Sequence, residues 1–236
     1  MPKFAVYYIP QADDAFYQLG TSILGHNVRA GQTVAPSSEL AEVLGTDWPT
    51  WTTVSRPYGF HVTICEALDC HWTTIPRVEQ ELADLLKCFD PSHPLVLERR
   101  DDRPVGIWGE EARKSLVLLY EPNTTLRMLH TLLVARLTPL GLGSDFLRRY
   151  LTHPHTELPA HQVQQIRLFS SPTVLENWYP HFTLLNPYTG AEPTVMASHL
   201  AQLFQSYKHI TVQTICLLIQ ENQEANWQIY QEFHRS

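Results

Sequence analysis

No run of apolar residues in this chain approaches the roughly 20 that a membrane-crossing helix requires, so no membrane span is expected. The opening stretch MPKFAVYYIPQADD lacks the apolar core and small-residue cleavage site of a secretory signal, which predicts a cytoplasmic protein. Cysteine is scarce. Cys65, Cys70, Cys88 and Cys216 form no C-x-x-C pair, which argues against a disulfide framework and fits a reducing compartment. Positive charge is also short: 17 Lys and Arg stand against 24 Asp and Glu, for a formal net charge of −7. Binding a long nucleic acid depends on neutralising many phosphates, so no such partner is expected. One or two local cations can still hold a single phosphate. The familiar catalytic signatures G-x-S-x-G, G-x-x-x-x-G-K-[ST], G-x-G-x-x-G and H-E-x-x-H are all missing.

What is present is a chain of 236 residues, 44% hydrophobic and 17% charged. This is long enough for one large domain or two small lobes with a substantial core. Residues Lys3 to Pro10 read as a strand, and Ala12 to Leu24 as a helix with Asp13 and Asp14 at its N-terminus. A loop-rich stretch from Gly25 to Pro57 holds one short helix near Ser38 to Leu44. Tyr58 to Leu68 reads as a strand and Ile75 to Phe89 as a helix, with Pro76 near its start. Short strands are expected over Leu95 to Arg99 and Val105 to Trp108. The charged run from Arg99 to Arg103 between them suits a hairpin tip or a solvated loop. Ser115 to Pro122 reads as a strand. Thr124 to Leu137 reads as a helix capped by Asn123 or Thr124. Gly141 to Gln165 looks irregular. Strands are then expected at Ile166 to Ser170, Trp178 to Asn186, Ile210 to Gln220 and Trp227 to Phe233, with a helix over Glu192 to Tyr207.

The order strand, helix, long connection, strand, helix occurs from Lys3 and again from Ser115. The intervals are of similar scale: 57 residues from Phe4 to His61, and 65 from Leu116 to His181. Two similar lobes within one domain spanning 1–236 are expected.

Both copies of the second strand carry a His-x-Thr tripeptide, His61-Val62-Thr63 and His181-Phe182-Thr183. Strand side chains alternate faces, so each strand offers an imidazole and a hydroxyl on one face, with Val62 or Phe182 packing behind. If the two lobes pair, two imidazoles and two hydroxyls surround one point. One neutral His can take a proton from water or a ribose hydroxyl, and a protonated one can give a proton to a departing alkoxide. The hydroxyls of Thr63 and Thr183 can donate to non-bridging phosphoryl oxygens. This chemistry needs no metal and no other cofactor. A single H-x-T is more often a half-buried His beside a β-favouring Thr; two copies at matching places carry the argument.

The segments HVTI and HFTL resemble the signature H-x-[ST]-x of the two-histidine (2H) phosphoesterase superfamily, which includes LigT-like RNA ligases and cyclic phosphodiesterases. KFAVYYIP, LGTSILGHN, RPYGFHVTI and SPTVLENWYPHFTLL are similar to a branch associated with phosphonate metabolism. In that branch a Lys follows the first motif, where this chain has Cys65, and an Arg precedes the second, where Tyr179 and Pro180 stand. The resemblance implies a bilobal α+β fold with antiparallel sheets lining a central cleft. It also implies action on 2′,3′-cyclic nucleotides, RNA ends or related small phosphodiesters. Two other readings use the same site: a non-catalytic binder of a phosphorylated small molecule or RNA end, and an RNA end ligase. A monomer is expected.

Around the motifs, Arg56 and Tyr58 either bind phosphate or a base, or are a surface Arg and a packing Tyr. Tyr179 shares the face of His181 and can line the cleft. Trp48, Trp51 and Trp178 suit packing better than base stacking. Lys114 and Arg167 are further candidate cations. The histidines at 153, 155 and 161 are irregularly spaced and lack a Cys partner, which suits a loop better than a zinc site. Cys65 reads as core rather than nucleophile.

Overall fold

The computed structural model describes residues 1–110, 113–152 and 158–235. The chain opens with β1 (Lys3–Tyr8), which is buried throughout, and α1 (Ala15–Leu24). The Asp14 carboxylate accepts from the Phe16 N–H at 2.8 Å and caps α1, and Gly25 in the left-handed region ends it. A small hairpin, β2 (His26–Asn27) and β3 (Gln32–Thr33), precedes α2 (Ser38–Leu44) and α3 (Trp48–Trp51). A 3₁₀ turn over Arg56–Tyr58 then leads into β4 (Val62–Asp69) and α4 (Ile75–Lys87). Next come β5 (Val96–Arg99), β6 (Val105–Glu110), β7 (Arg113–Pro122) and α5 (Thr124–Leu137), which Asn123 caps through the Leu126 N–H. The second half continues with α6 (Asp145–Thr152), α7 (Ala160–Phe169), β8 (His181–Tyr188) and α8 (Pro193–Leu203). It ends with β9 (His209–Thr211), β10 (Thr214–Gln220) and β11 (Gln228–His234).

The fold is α+β with antiparallel sheets, as the resemblance implies. One sheet runs β11-β10-β1-β4. In the other, β7 pairs with β6 over 113–118, with β5 over 120–122 and with β8 over 114–119, while β9 pairs with β5. The strand carrying each motif therefore lies beside the strand that opens its half, β4 beside β1 and β8 beside β7. The two halves meet in an aromatic core. Phe60 stacks on Phe182 at 4.4 Å, and Phe16 and Tyr120 meet Phe182 edge-on. Gly20 leaves room for this stack, because a Cβ there would sit 2.4 Å from the Phe60 ring.

Several expected elements differ. The irregular stretch over 141–165 holds α6 and most of α7, and the strand expected at Ile166 to Ser170 is the end of α7. The apolar pattern of Ile166-Arg167-Leu168-Phe169 fits a short strand, but only Ile166 packs inward, with Leu168 66% exposed, as on a surface helix. The strand expected over Ile210 to Gln220 is two, with β9 joining one sheet and β10 the other. Of the two readings of the charged run at Arg99 to Arg103, the solvated loop holds: Asp101, Asp102 and Arg103 are exposed, and the run is not a hairpin tip, since β5 and β6 both pair with β7.

Candidate functional site

His61 immediately precedes β4, and His181 opens β8. Each ring is fixed the same way. His61 Nδ1 donates to the Gly59 carbonyl at 2.9 Å, and His181 Nδ1 donates to the Tyr179 carbonyl at 2.8 Å. A carbonyl can only accept, so both Nδ1 atoms carry the proton, and the neutral ring leaves Nε2 as a base. His61 Nε2 lies 3.3 Å from Thr63 Oγ1. Tyr7 stacks on the His61 ring at 4.0 Å, and Trp108 meets the His181 ring edge-on at 4.6 Å.

Both rings sit in surroundings that disfavour charge. Burial lowers the pKa of His61 to about 4, with the nearby His181 charge adding to the effect. Burial also lowers that of His181. Both are therefore neutral at pH 7.

The two strands repeat each other beyond the tripeptide. In β4, Ile64 is an extra residue between the pairs Tyr7–Thr63 and Val6–Cys65. In β8, Leu184 is an extra residue between Val117–Thr183 and Leu116–Leu185. A second irregularity follows in each: Glu66 and Ala67 stand opposite one residue of β1, as Asn186 and Pro187 stand opposite one of β7. From each His the order of burial is the same, alternating through the Thr and then turning two residues inward and two outward. A β-bulge re-aims the residues after it. It turns Cys65 and Leu185 into the core and brings Glu66 and Asn186 to the cleft.

The cleft has two compartments. The larger, about 220 Å³, is bounded by Tyr7, Tyr58, His61, Thr183, Asn186 and Arg149. The smaller, about 60 Å³, is bounded by Trp108, Trp178, Tyr179 and His181. Thr63 and Glu66 border both. All four motif residues thus surround one cleft, together with Tyr58 and Tyr179. Arg56 does not join them. Its guanidinium donates to the carbonyls of Leu24 and Pro49 and to Thr52 Oγ1, which ties the preceding loop to the end of α1.

Glu66, Asn186 and Arg149 went unrecognised in the sequence. Strict alternation puts position +5 after a His on the far face, and Arg149 lies in a helix that read as irregular. Burial raises the Glu66 carboxyl to about 7, and the Arg149 charge partly opposes that. Cys65 is buried and its thiol is pushed up to about 12, which suits packing.

The bulge carbonyls of the first motif are held from the second half. Trp178 Nε1 donates to the Thr63 carbonyl at 3.0 Å, and His130 Nδ1 donates to the Ile64 carbonyl at 2.7 Å. His130 Nε2 accepts from the Leu175 N–H at 3.2 Å, and its ring stacks on Trp178 at 4.1 Å. Trp48 and Trp51 are packing residues, Trp48 donating to the Ile23 carbonyl and Trp51 resting against Tyr188. Arg167 rests on Tyr150. The histidines at 153 and 155 lie outside the described residues. Among the described residues no three His, Cys, Asp or Glu side chains gather as metal ligands, and no helix is long and apolar enough to cross a membrane.

A family described as a protein of unknown function (DUF1045) matches residues 119–228, just under half of the chain. No curated protein matches. Among solved structures, the chain is similar to Escherichia coli LigT complexed with 3′-AMP, at 11% identity and a TM-score of 0.48, covering 100% of this chain and 99% of that one. It is similar to Usb1 of Kluyveromyces marxianus at 8% identity and a TM-score of 0.41, covering 97% of each. A structure described as a phosphoesterase gives 12% identity and a TM-score of 0.44, covering 100% of this chain and 99% of that one.

Proposed function

We propose that this cleft is the active site of a metal-independent phosphoesterase of the two-histidine type, which hydrolyses a small cyclic phosphate or phosphodiester. The two halves form one two-lobed domain about an approximate twofold axis through the cleft. The observation that supports this most is the matched presentation of His61 and His181. Each has Nδ1 tied to the carbonyl two residues back, each is followed by Thr at +2, and the same two bulges follow.

His61, which burial lowers to about 4, is neutral over the working range and acts as base. Its Nε2 takes a proton from the water that attacks phosphorus. The bond from phosphorus to the leaving alkoxide breaks, and His181, protonated at Nε2, gives that alkoxide its proton. An anionic phosphate entering between the rings raises their proton affinity and lets His181 charge. Thr63 and Thr183 donate to the non-bridging oxygens, where charge builds. Tyr58 and Tyr179 contact the rest of the substrate, a nucleotide or an RNA end.

Chelator-treated protein incubated with 2′,3′-cyclic nucleotides, ribose cyclic phosphates and 2′,5′-linked oligonucleotides tests this by ³¹P NMR. The expected result is conversion of one of them to a phosphomonoester. Inertness towards the whole panel would remove the hydrolase reading.

A further inference from the structure

Among the described residues, the carboxylate that borders both compartments of the cleft is that of Glu66, and it has no part in the proton transfers proposed above. Glu66 and Thr63 are the residues common to both compartments, so a ligand reaching from His61 to His181 passes the Glu66 side chain. The equivalent place on the other motif strand holds the neutral Asn186. We propose that Glu66 sorts ligands by charge: it admits singly charged phosphodiesters and turns away doubly charged phosphomonoesters, so the cleft expels its own product. This rests on the hydrolase reading above.

The physical case begins with the product. Opening a cyclic phosphate by water converts a monoanion into a monoester, whose second proton leaves near pH 6. Repulsion between that second charge and a carboxylate is strong where water is scarce. Glu66 lies in such a place. Burial holds its carboxyl near 7, so it ionises just above the span in which the product gains its charge. The groups around it set the balance. Tyr7 from β1 and Tyr58 from the 3₁₀ turn are neutral, their pKa values raised by burial and by the Glu66 charge itself. His61, His181 and, from α5, His130, which borders the smaller compartment, are neutral in the free protein. From α6, Asp145 borders the larger compartment but its carboxylate is paired with Lys3 at 3.0 Å and with Arg148, while Arg149 adds a positive charge there. Arg149 is exposed and its Nε donates to the Asp145 carbonyl, so it screens Glu66 without neutralising it. The neck therefore tolerates one phosphate charge between the imidazoles and resists a second.

The test uses the full chain, adenosine 2′,3′-cyclic monophosphate as substrate and adenosine 3′-monophosphate as inhibitor, with direct calorimetric titration of the monoester. For the native protein, inhibition should weaken about tenfold between pH 5.5 and 8. In Glu66→Gln, inhibition at pH 8 should be about tenfold stronger than native, and KM for the cyclic substrate should move much less. Glu66→Met, uncharged and of similar length, should behave alike and guards against a packing effect of the amide. Turnover with no tightening of monoester binding in either variant would overturn this inference alone. No turnover of any member of the ³¹P panel and no monoester binding by the native protein would overturn it together with the hydrolase reading.

Discussion

Gly59 sets the first imidazole in place. Its φ of +71° lies in the left-handed region, and a Cβ there would sit 2.6 Å from Val28. Its carbonyl is also the acceptor that fixes His61 Nδ1. Gly59→Ala should therefore lower stability by about 1–3 kcal/mol and reduce kcat, read by thermal denaturation and steady-state kinetics. The imidazoles also predict a pH profile. The base must be unprotonated and the acid protonated, and kcat/KM reports these groups in the free protein. With His61 near 4 and His181 below its usual 6.5, kcat/KM should be bell-shaped with its maximum on the acid side of 6.5. A profile that rises steadily through pH 8 would contradict the assignment of His181 as the acid.

At the scale of elements, the bulges of β4 and β8 do what plain strands could not. Regular alternation would carry Cys65 to the cleft and bury Glu66; the extra Ile64 reverses both. The bulge leaves carbonyls without their ladder partners, and Trp178 and His130 supply the donors. Trp178→Phe keeps an aromatic ring beside His130 but removes the N–H along with part of the buried indole. An unpartnered buried carbonyl costs roughly 1–3 kcal/mol, so a loss of that size is expected in denaturant titration, with a fall in kcat larger than any rise in KM. The tripeptides were legible in the sequence because alternation links His to Thr, and α5 because its leucines keep helical phase between Asn123 and Leu137. The bulges left no such mark, since an inserted residue does not alter composition. The sequence leaves Arg56 open between a phosphate ligand and a surface Arg because its acceptors, the carbonyls of Leu24 and Pro49, are brought to it only by the fold. The helices α6 and α7 were hidden by a mixed composition with few inward-facing residues.

Across the whole molecule, proton uptake should couple folding to pH. His61 and His130 are both lowered to about 4 by burial, and His26 and His181 are lowered as well. An unfolded His takes its proton near 6.5, before these folded ones do. Their contribution is complete above about pH 6.5 and is lost as pH falls towards 4. Glu66 acts in the opposite sense. Its folded value of about 7 against an ordinary 4.5 favours the fold at low pH, and that benefit fades as pH rises through this window. The histidines outnumber it, so the midpoint of thermal unfolding should drop between pH 6.5 and 4. A midpoint that climbs over that interval would show that these imidazoles are not buried neutral.

The central claim is that one imidazole from each half of the chain performs the two proton transfers. Single-turnover rates for native protein, His61→Ala, His181→Ala and the double variant, on the cyclic substrate identified by the ³¹P panel, test it most directly. Each single change should lower the rate by about 10²–10⁴, and the double change should fall well short of the product of the two, because the residues act as a unit. Near-native turnover by either single variant, with the fold intact, would contradict the account.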